Sequence, residues 1–203
     1  QIDFEKYYGK QYPTPDFILL RITPTVFASF CSPLIYLAMR YSSFSCSASF
    51  VSAFLIACDT SFLTEHRFIL SDGMLHFFTC LFLAYYAYFS SLSFRDPQLF
   101  LKKILAGVLL GLPCSCKNTA WGLMIYTGFI EITRILQLYP TFDGYLIDAI
   151  VTRGTTLFGI VIGVHLLSFA IHNTILCYDG LGTSYLPAMF QKQLIDKEHL
   201  SGQ

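Results

Sequence analysis

Between Asp59 and Asp72 the sequence reads Asp-Thr-Ser-Phe-Leu-Thr-Glu-His-Arg-Phe-Ile-Leu-Ser-Asp, which sets three acids, an arginine and a histidine between two apolar segments. An ionised side chain at membrane depth costs about 2.5–3.5 kcal/mol even on permissive insertion scales, so such groups face a partner, a cavity or a ligand. Two more cations stand in comparable places: Arg21, four residues into an apolar run, and Lys117, just after Pro113. Guanidinium and ammonium groups near a membrane boundary suit a lipid-linked phosphate, whose tail lies in the bilayer while its head meets the cations. A transferase using such a donor stabilises the charge that appears on the departing phosphate, and preorganised cations do this best where water is scarce. It also needs a carboxylate to take a proton from the acceptor hydroxyl. Asp3 and Glu5 are candidates for that base by location only.

Each of these residues also has a plainer reading. Arg21 can snorkel to the headgroups. Arg67 has Glu65 and Asp72 close by for a structural ion pair, and a loop lysine such as Lys117 is commonly just solvated. Asp72 and His76 lie four apart, on one helix face, where a local hydrogen bond would steer the helix start. His66, His76, His165, His172 and His199 are scattered at spacings that share no obvious metal site, so no metal or cofactor is expected. His172 reads as a hydrogen-bonded structural residue.

The elements that position these groups are membrane helices. The chain is 54% hydrophobic and only 13% charged, against about a quarter charged in a typical soluble domain. Its formal net charge of zero offers no basic stripe for nucleic acid. Cys31, Cys46, Cys58 and Cys80 lie in or beside apolar runs, and Cys114-Ser-Cys116 lacks the two-residue spacer of a redox or zinc pair. The cysteines read as small apolar residues.

Six apolar segments run near Phe17 to Met39, Ser45 to Cys58, Leu75 to Ser90, Ile104 to Pro113, Trp121 to Leu136 and Thr155 to Cys177. A crossing needs about 20 residues to span a core of about 30 Å. The second and fourth are shorter, and reach that length only by extension to Leu63 and to Phe100–Cys116. With no strand alternation and no internal repeat, the fold class is an all-α membrane protein, a polytopic helical bundle. If the spans alternate, Arg40, Arg95, Lys102, Lys103, Arg134 and Arg153 share one side, and Arg67 and Lys117 the other. The first side is then cytosolic under the positive-inside rule. Both tails and the Asp59–Asp72 block fall on the opposite, luminal face.

Ordered motifs along the chain carry a resemblance. Phe4-Glu5, Gly9-Lys10, Tyr12-Pro13 and Arg21-Ile-Thr-Pro24 come first. Asp59, Thr64-Glu-His-Arg67-Phe-Ile-Leu-Ser-Asp72 and Leu75-His-Phe-Phe78 follow, then Gly107, Gly111 and Ser115-Cys-Lys117. His172, Gly180-Leu-Gly182 and Phe190-Gln191 with Leu194 complete the series. In this order they resemble the protein O-mannosyltransferases, which use dolichyl phosphate mannose. The resemblance implies a bundle of the GT-C glycosyltransferase type in the endoplasmic reticulum membrane, which transfers mannose to Ser or Thr hydroxyls of proteins with inversion. By position, Arg21, Arg67 and Lys117 would contact the donor phosphate, with Asp72 organising Arg67, and Asp59 and His172 in support. It implies partners too: the lipid-linked donor, a Ser/Thr-containing protein acceptor, membrane lipids, and a family member in a homo- or heterodimer. Residues 1–16 would end the first luminal loop, 17–177 hold about six spans, and 178–203 lead to a luminal MIR domain beyond the chain. The acidic pair that supplies the acceptor base is expected before Gln1, so the chain by itself is expected to be inactive.

Glu65-His66 replaces the family's Gln-Ser, and Leu181 and Thr183 stand where Pro and Asp are usual. A divergent, non-catalytic member is one alternative to the enzyme. A transporter or channel subunit, with Arg21, Asp59 and Arg67 lining a path, is the other. The predicted orientation has a direct test: a tag placed after Gln203 should resist protease added to sealed microsomes, and its digestion would overturn the assignment.

Overall fold

The computed structural model describes residues 16–66, 71–92, 99–139, 143–176 and Gln191. Every element among them is helical: α1 (Asp16–Ser29), α2 (Cys31–Tyr41), α3 (Cys46–Cys58), α4 (Thr60–Glu65), α5 (Asp72–Ser91), α6 (Leu99–Cys116), α7 (Trp121–Leu138) and α8 (Gly144–Ile175). A single 3₁₀ turn over Asn118–Ala120 joins α6 to α7. The loops expected at 1–16 and 178–203 lie outside the described residues, apart from Asp16 and Gln191.

The helix boundaries follow from local chemistry. Ser45, Asp59 and Asp143 cap α3, α4 and α8, accepting hydrogen bonds from the amides of Ala48, Ser61 and Leu146 at 3.2, 2.8 and 3.1 Å. Each such cap is worth about 1 kcal/mol. Pro33 has no N–H to give the Ser29 carbonyl, and the chain tightens there, with the Phe30 amide donating to Phe27 three residues back. This divides α1 from α2. The extension of the second span to Leu63 is interrupted: Asp59 takes an extended backbone that ends α3 and starts α4. The fourth segment does run from Leu99 to Cys116, as its extension anticipated, and the last begins at Gly144, well before Thr155.

Among the described residues, three helical stretches are long and apolar enough to cross a membrane, 18–41, 72–91 and 144–175. The other expected spans correspond to α3, α6 and α7, with 13, 18 and 18 residues. Helices α1–α2, α5 and α7 run one way and α3, α6 and α8 the other. Side-chain contacts set these directions: Phe27 and Tyr41 meet Phe77 and Tyr88 along α5. Tyr85 on α5 donates to the Lys102 carbonyl of α6, and Gly107 and Gly111 of α6 meet Ile160 and Val164 of α8 in turn.

Helix α5 is the centre. Its Leu75, Phe82, Tyr86 and Phe89 share a buried cluster with Leu110 and Cys114 of α6, with Ala120, and with Val161 of α8. Large apolar side chains also cover the outside, among them Phe50, Phe54, Phe129, Leu166 and Phe169, all more than half exposed. Such a surface suits acyl chains, and in water it would be an aggregation hazard.

Lipid removes the hydrophobic drive between helices, so close van der Waals contact and hydrogen bonds must hold them. Gly107 and Gly111 form the small-residue spacing that permits this. A methyl group at Gly111 would stand 2.7 Å from Val164 Cβ, and one at Gly107 3.0 Å from Ile160 Cβ. Gly111→Leu therefore overpacks the α6–α8 seam, which typically costs about 1–3 kcal/mol. Thermal unfolding of the detergent-solubilised protein should show a clearly lowered Tm; an unchanged Tm would refute this packing.

Candidate functional site

Asp72 opens α5, where an acid in the first turn is favoured by the partial positive charge of the free amides. It is 8% exposed, and a buried carboxylate requires a partner. Lys117 provides it: Lys117 Nζ lies 2.8 Å from Asp72 Oδ1. The lysine reaches across because α6 stops at Cys116 and residue 117 takes an extended backbone, which turns the side chain off the helix end. This ion pair joins the start of α5 to the end of α6, 45 residues apart in sequence.

Helix α1 meets the same place through two contacts. A Cβ on Gly73 would stand 2.6 Å from the Pro24 carbonyl oxygen, so only glycine lets α1 approach the first turn of α5 this closely. One residue on, the Thr25 hydroxyl lies 2.9 Å from the carbonyl oxygens of both Arg21 and His66. Arg21, exposed on α1, thus sits one helical turn from a residue locked to the end of α4.

His66 is only 4% exposed. Its Nδ1 is hydrogen-bonded to the Phe62 carbonyl, and its Nε2 lies 3.1 Å from His76 Nδ1 on α5. The spacing of Asp72 and His76 suggested a bond between those two; instead His76 turns its Nδ1 to His66, while Asp72 takes Lys117. Two of the five histidines that looked scattered along the chain therefore meet. No signal in the sequence marked the pair, since its halves belong to different helices and the link between them is tertiary.

The remaining sequence candidates fall as follows. Asp59 is exposed, and its carboxylate accepts the Ser61 and Phe62 amides, which makes it a helix cap. His172 is exposed on the last turn of α8, where its carbonyl accepts the Leu176 amide. Because α6 and α8 run the same way, this turn lies towards the Lys117 end. Arg67, Asp3, Glu5, Gly180, Gly182 and Phe190 lie outside the described residues. No group of three or more His, Cys, Asp or Glu suited to a metal occurs among the described residues.

The opposite end of the bundle has its own polar network. Tyr86 donates to Glu131 Oε1 at 2.6 Å, Arg134 lies 3.4 Å from the same oxygen, and Arg134 also donates to the Ser90 side chain and carbonyl at 3.1 and 2.9 Å. Lys103 is close enough to Glu131 and Arg153 to feel both charges. Arg40, Lys102, Lys103, Arg134 and Arg153 thus gather at one end and Lys117 at the other, the division that the loop charges anticipated.

A family model described as "Dolichyl-phosphate-mannose-protein mannosyltransferase" matches residues 1–177. The chain belongs to this mannosyltransferase family. Among its relatives, dolichyl-phosphate-mannose–protein mannosyltransferase 2 of Candida albicans is 27% identical over 198 residues, which are 92% of this chain and 25% of the relative. Mannosyltransferase 3 of Saccharomyces cerevisiae is 29% identical over 193 residues, 92% of this chain and 26% of the relative. The chain thus spans about a quarter of the length of these mannosyltransferases. The fold is similar to the S. cerevisiae Pmt1-Pmt2 complex solved with its sugar donor, with a TM-score of 0.80 and 22% identity over 91% of this chain and 26% of that one. The helical bundle of the described residues therefore shares its fold with part of that membrane mannosyltransferase complex.

The hydrogen bond from Lys117 to Asp72 raises the Lys117 ammonium above its ordinary lysine value. Folding is thus favoured by this pair below about pH 10.4, the unperturbed lysine value, and the contribution is lost as pH climbs through the raised one. Asp72→Asn removes the cause. Amine-reactive labelling of Lys117, followed by mass spectrometry across pH 8–11, should then begin at lower pH in the variant; coincident profiles would disprove the pairing.

Proposed function

We propose that this chain is part of an enzyme that transfers mannose from dolichyl phosphate mannose to Ser or Thr hydroxyls of proteins in the lumen of the endoplasmic reticulum. The observation that carries the reading is the convergence, at one end of a family bundle, of Arg21 with the anchored Asp72–Lys117 pair. Three separate helices supply these groups to one boundary, where a lipid phosphate can present its charge while its tail stays among acyl chains.

In this reading the acceptor oxygen attacks the anomeric carbon from the face opposite the phosphate, so the product linkage is inverted. The bond to the phosphate oxygen breaks, and its electron pair stays on the phosphate. Arg21, Lys117 and Arg67 meet the charge that grows there, and a cation held in place before the reaction needs no reorganisation as that charge develops. Asp72 keeps Lys117 charged and aimed. A carboxylate base takes the hydroxyl proton. The multi-pass chain resides in the endoplasmic reticulum membrane and pairs with a second family member, a reading supported by its solved structural relative, which is itself a complex of Pmt1 with Pmt2.

Replacing Arg21 by alanine in the complete enzyme tests this assignment. Loss of one preorganised donor to a developing oxyanion typically costs about 100- to 1,000-fold in turnover. Radiolabelled mannose transfer to a Ser/Thr peptide should fall by that order, with membrane insertion and protein level unchanged. Near-normal transfer would sink the assignment.

A further inference from the structure

The bonds of the His66–His76 pair restrict where it can take up a proton. A carbonyl oxygen only accepts, so the Phe62 carbonyl requires a proton on His66 Nδ1. A second proton lies between His66 Nε2 and His76 Nδ1. In the neutral pair those two protons satisfy both rings, and His76 Nε2 is a lone pair. One more proton, on whichever ring its charge is drawn, can sit only on His76 Nε2. Phe62 supports the arrangement from the side, its ring 4.1 Å from His66 and 5.6 Å from His76.

His76 belongs to the end of the bundle that carries Asp72 and Lys117. His76 is half-buried, one helical turn along α5 from Asp72 and on the same face. The charged and titratable groups acting on it are Glu65 and His66 from the end of α4, Asp72 on its own helix and Lys117 from the end of α6.

We propose that the His66–His76 pair is a one-proton donor to the bound lipid phosphate, with His76 Nε2 as the atom that gains the proton and makes the hydrogen bond. The inference rests on the lipid-phosphate reading above. Its chemistry matches the difference between substrate and product. A donor phosphodiester carries one negative charge at any physiological pH, whereas the phosphate monoester left after transfer has a second ionisation near pH 6 and carries almost two. A second negative charge arriving beside a neutral imidazole favours its protonated form, so the ring can take a proton from water at that step. Lys117 and Arg21 hold both species, and His76 distinguishes them.

Farnesyl phosphate and its methyl diester serve as probes on the complete enzyme. Affinity for farnesyl phosphate should strengthen as pH falls from 8 to 6.5, by up to tenfold per pH unit for one linked proton, and affinity for the diester should stay flat. Calorimetry in buffers of different ionisation enthalpy should register proton uptake with the monoester alone. His76→Gln should keep both probes bound but flatten the monoester dependence and abolish the uptake; the wild-type slope in that variant overturns the proposal. His66→Gln, which retains the His76 ring but not its partner, should shift the midpoint of the dependence, and an unmoved midpoint also overturns it. If the wild-type enzyme binds neither probe, the lipid-phosphate reading itself falls.

Discussion

The close approach of α1 to the first turn of α5, which only the bare backbone of Gly73 permits against Pro24, is the constraint on which the anion end depends. It brings the turn that carries Arg21 beside the turn that carries Asp72. The Thr25 hydroxyl then ties the end of α4 to α1 without needing extra space, since its single proton has the His66 carbonyl within reach as well as that of Arg21 on its own helix. Asp72, buried by this packing, must find a cation, and the end of α6 supplies one in Lys117. Arginine, histidine pair and lysine are therefore drawn together by one steric fit and the need to neutralise one carboxylate.

The two ends of the bundle solve the same problem differently. At the far end, Glu131 is compensated by Tyr86 and Arg134 within a closed network that also binds Ser90. Its groups are used up in joining α7 to α5, beside a cleft among α2, α5 and α7 that is lined in part by Tyr41, Ser90 and Tyr126. At the Lys117 end the ion pair stays at the surface: Asp72 is buried, and the lysine side chain remains about half exposed. A part-buried network contributes to holding helices together, whereas a half-exposed cation remains available to a ligand. This contrast in exposure is why the anion site is proposed at the Lys117 end.

Much of this was legible in the sequence. Hydrophobic runs marked every membrane-type helix, because helix formation in lipid answers to local composition and length. The basic residues separated by ends as alternation anticipated, and the motif around Arg21, Asp72 and Lys117 carried the family. Boundaries were less legible. Asp59 looked like a charge in need of a ligand, but its oxygen is spent on the first amides of α4, a role that its position immediately ahead of a short helix could have signalled. The start of α8 at Gly144 was hidden by Asp148 and Arg153, which dilute the apolar pattern without breaking the helix.

What the sequence by itself determined is the class of molecule: apolar helices, their alternating directions, and a set of cations assigned to one boundary. Those properties depend on neighbours within a turn or two, where residue type and spacing suffice. Only the tertiary structure decided which charge meets which. Asp72 has His76 on its own face, yet pairs with Lys117 from another helix; His66 and His76 share a proton across two helices; and Gly107 and Gly111 set the α6–α8 distance against Ile160 and Val164. These choices depend on which helix faces come into contact, and that approach is set by the fit of small residues against large ones across the whole bundle.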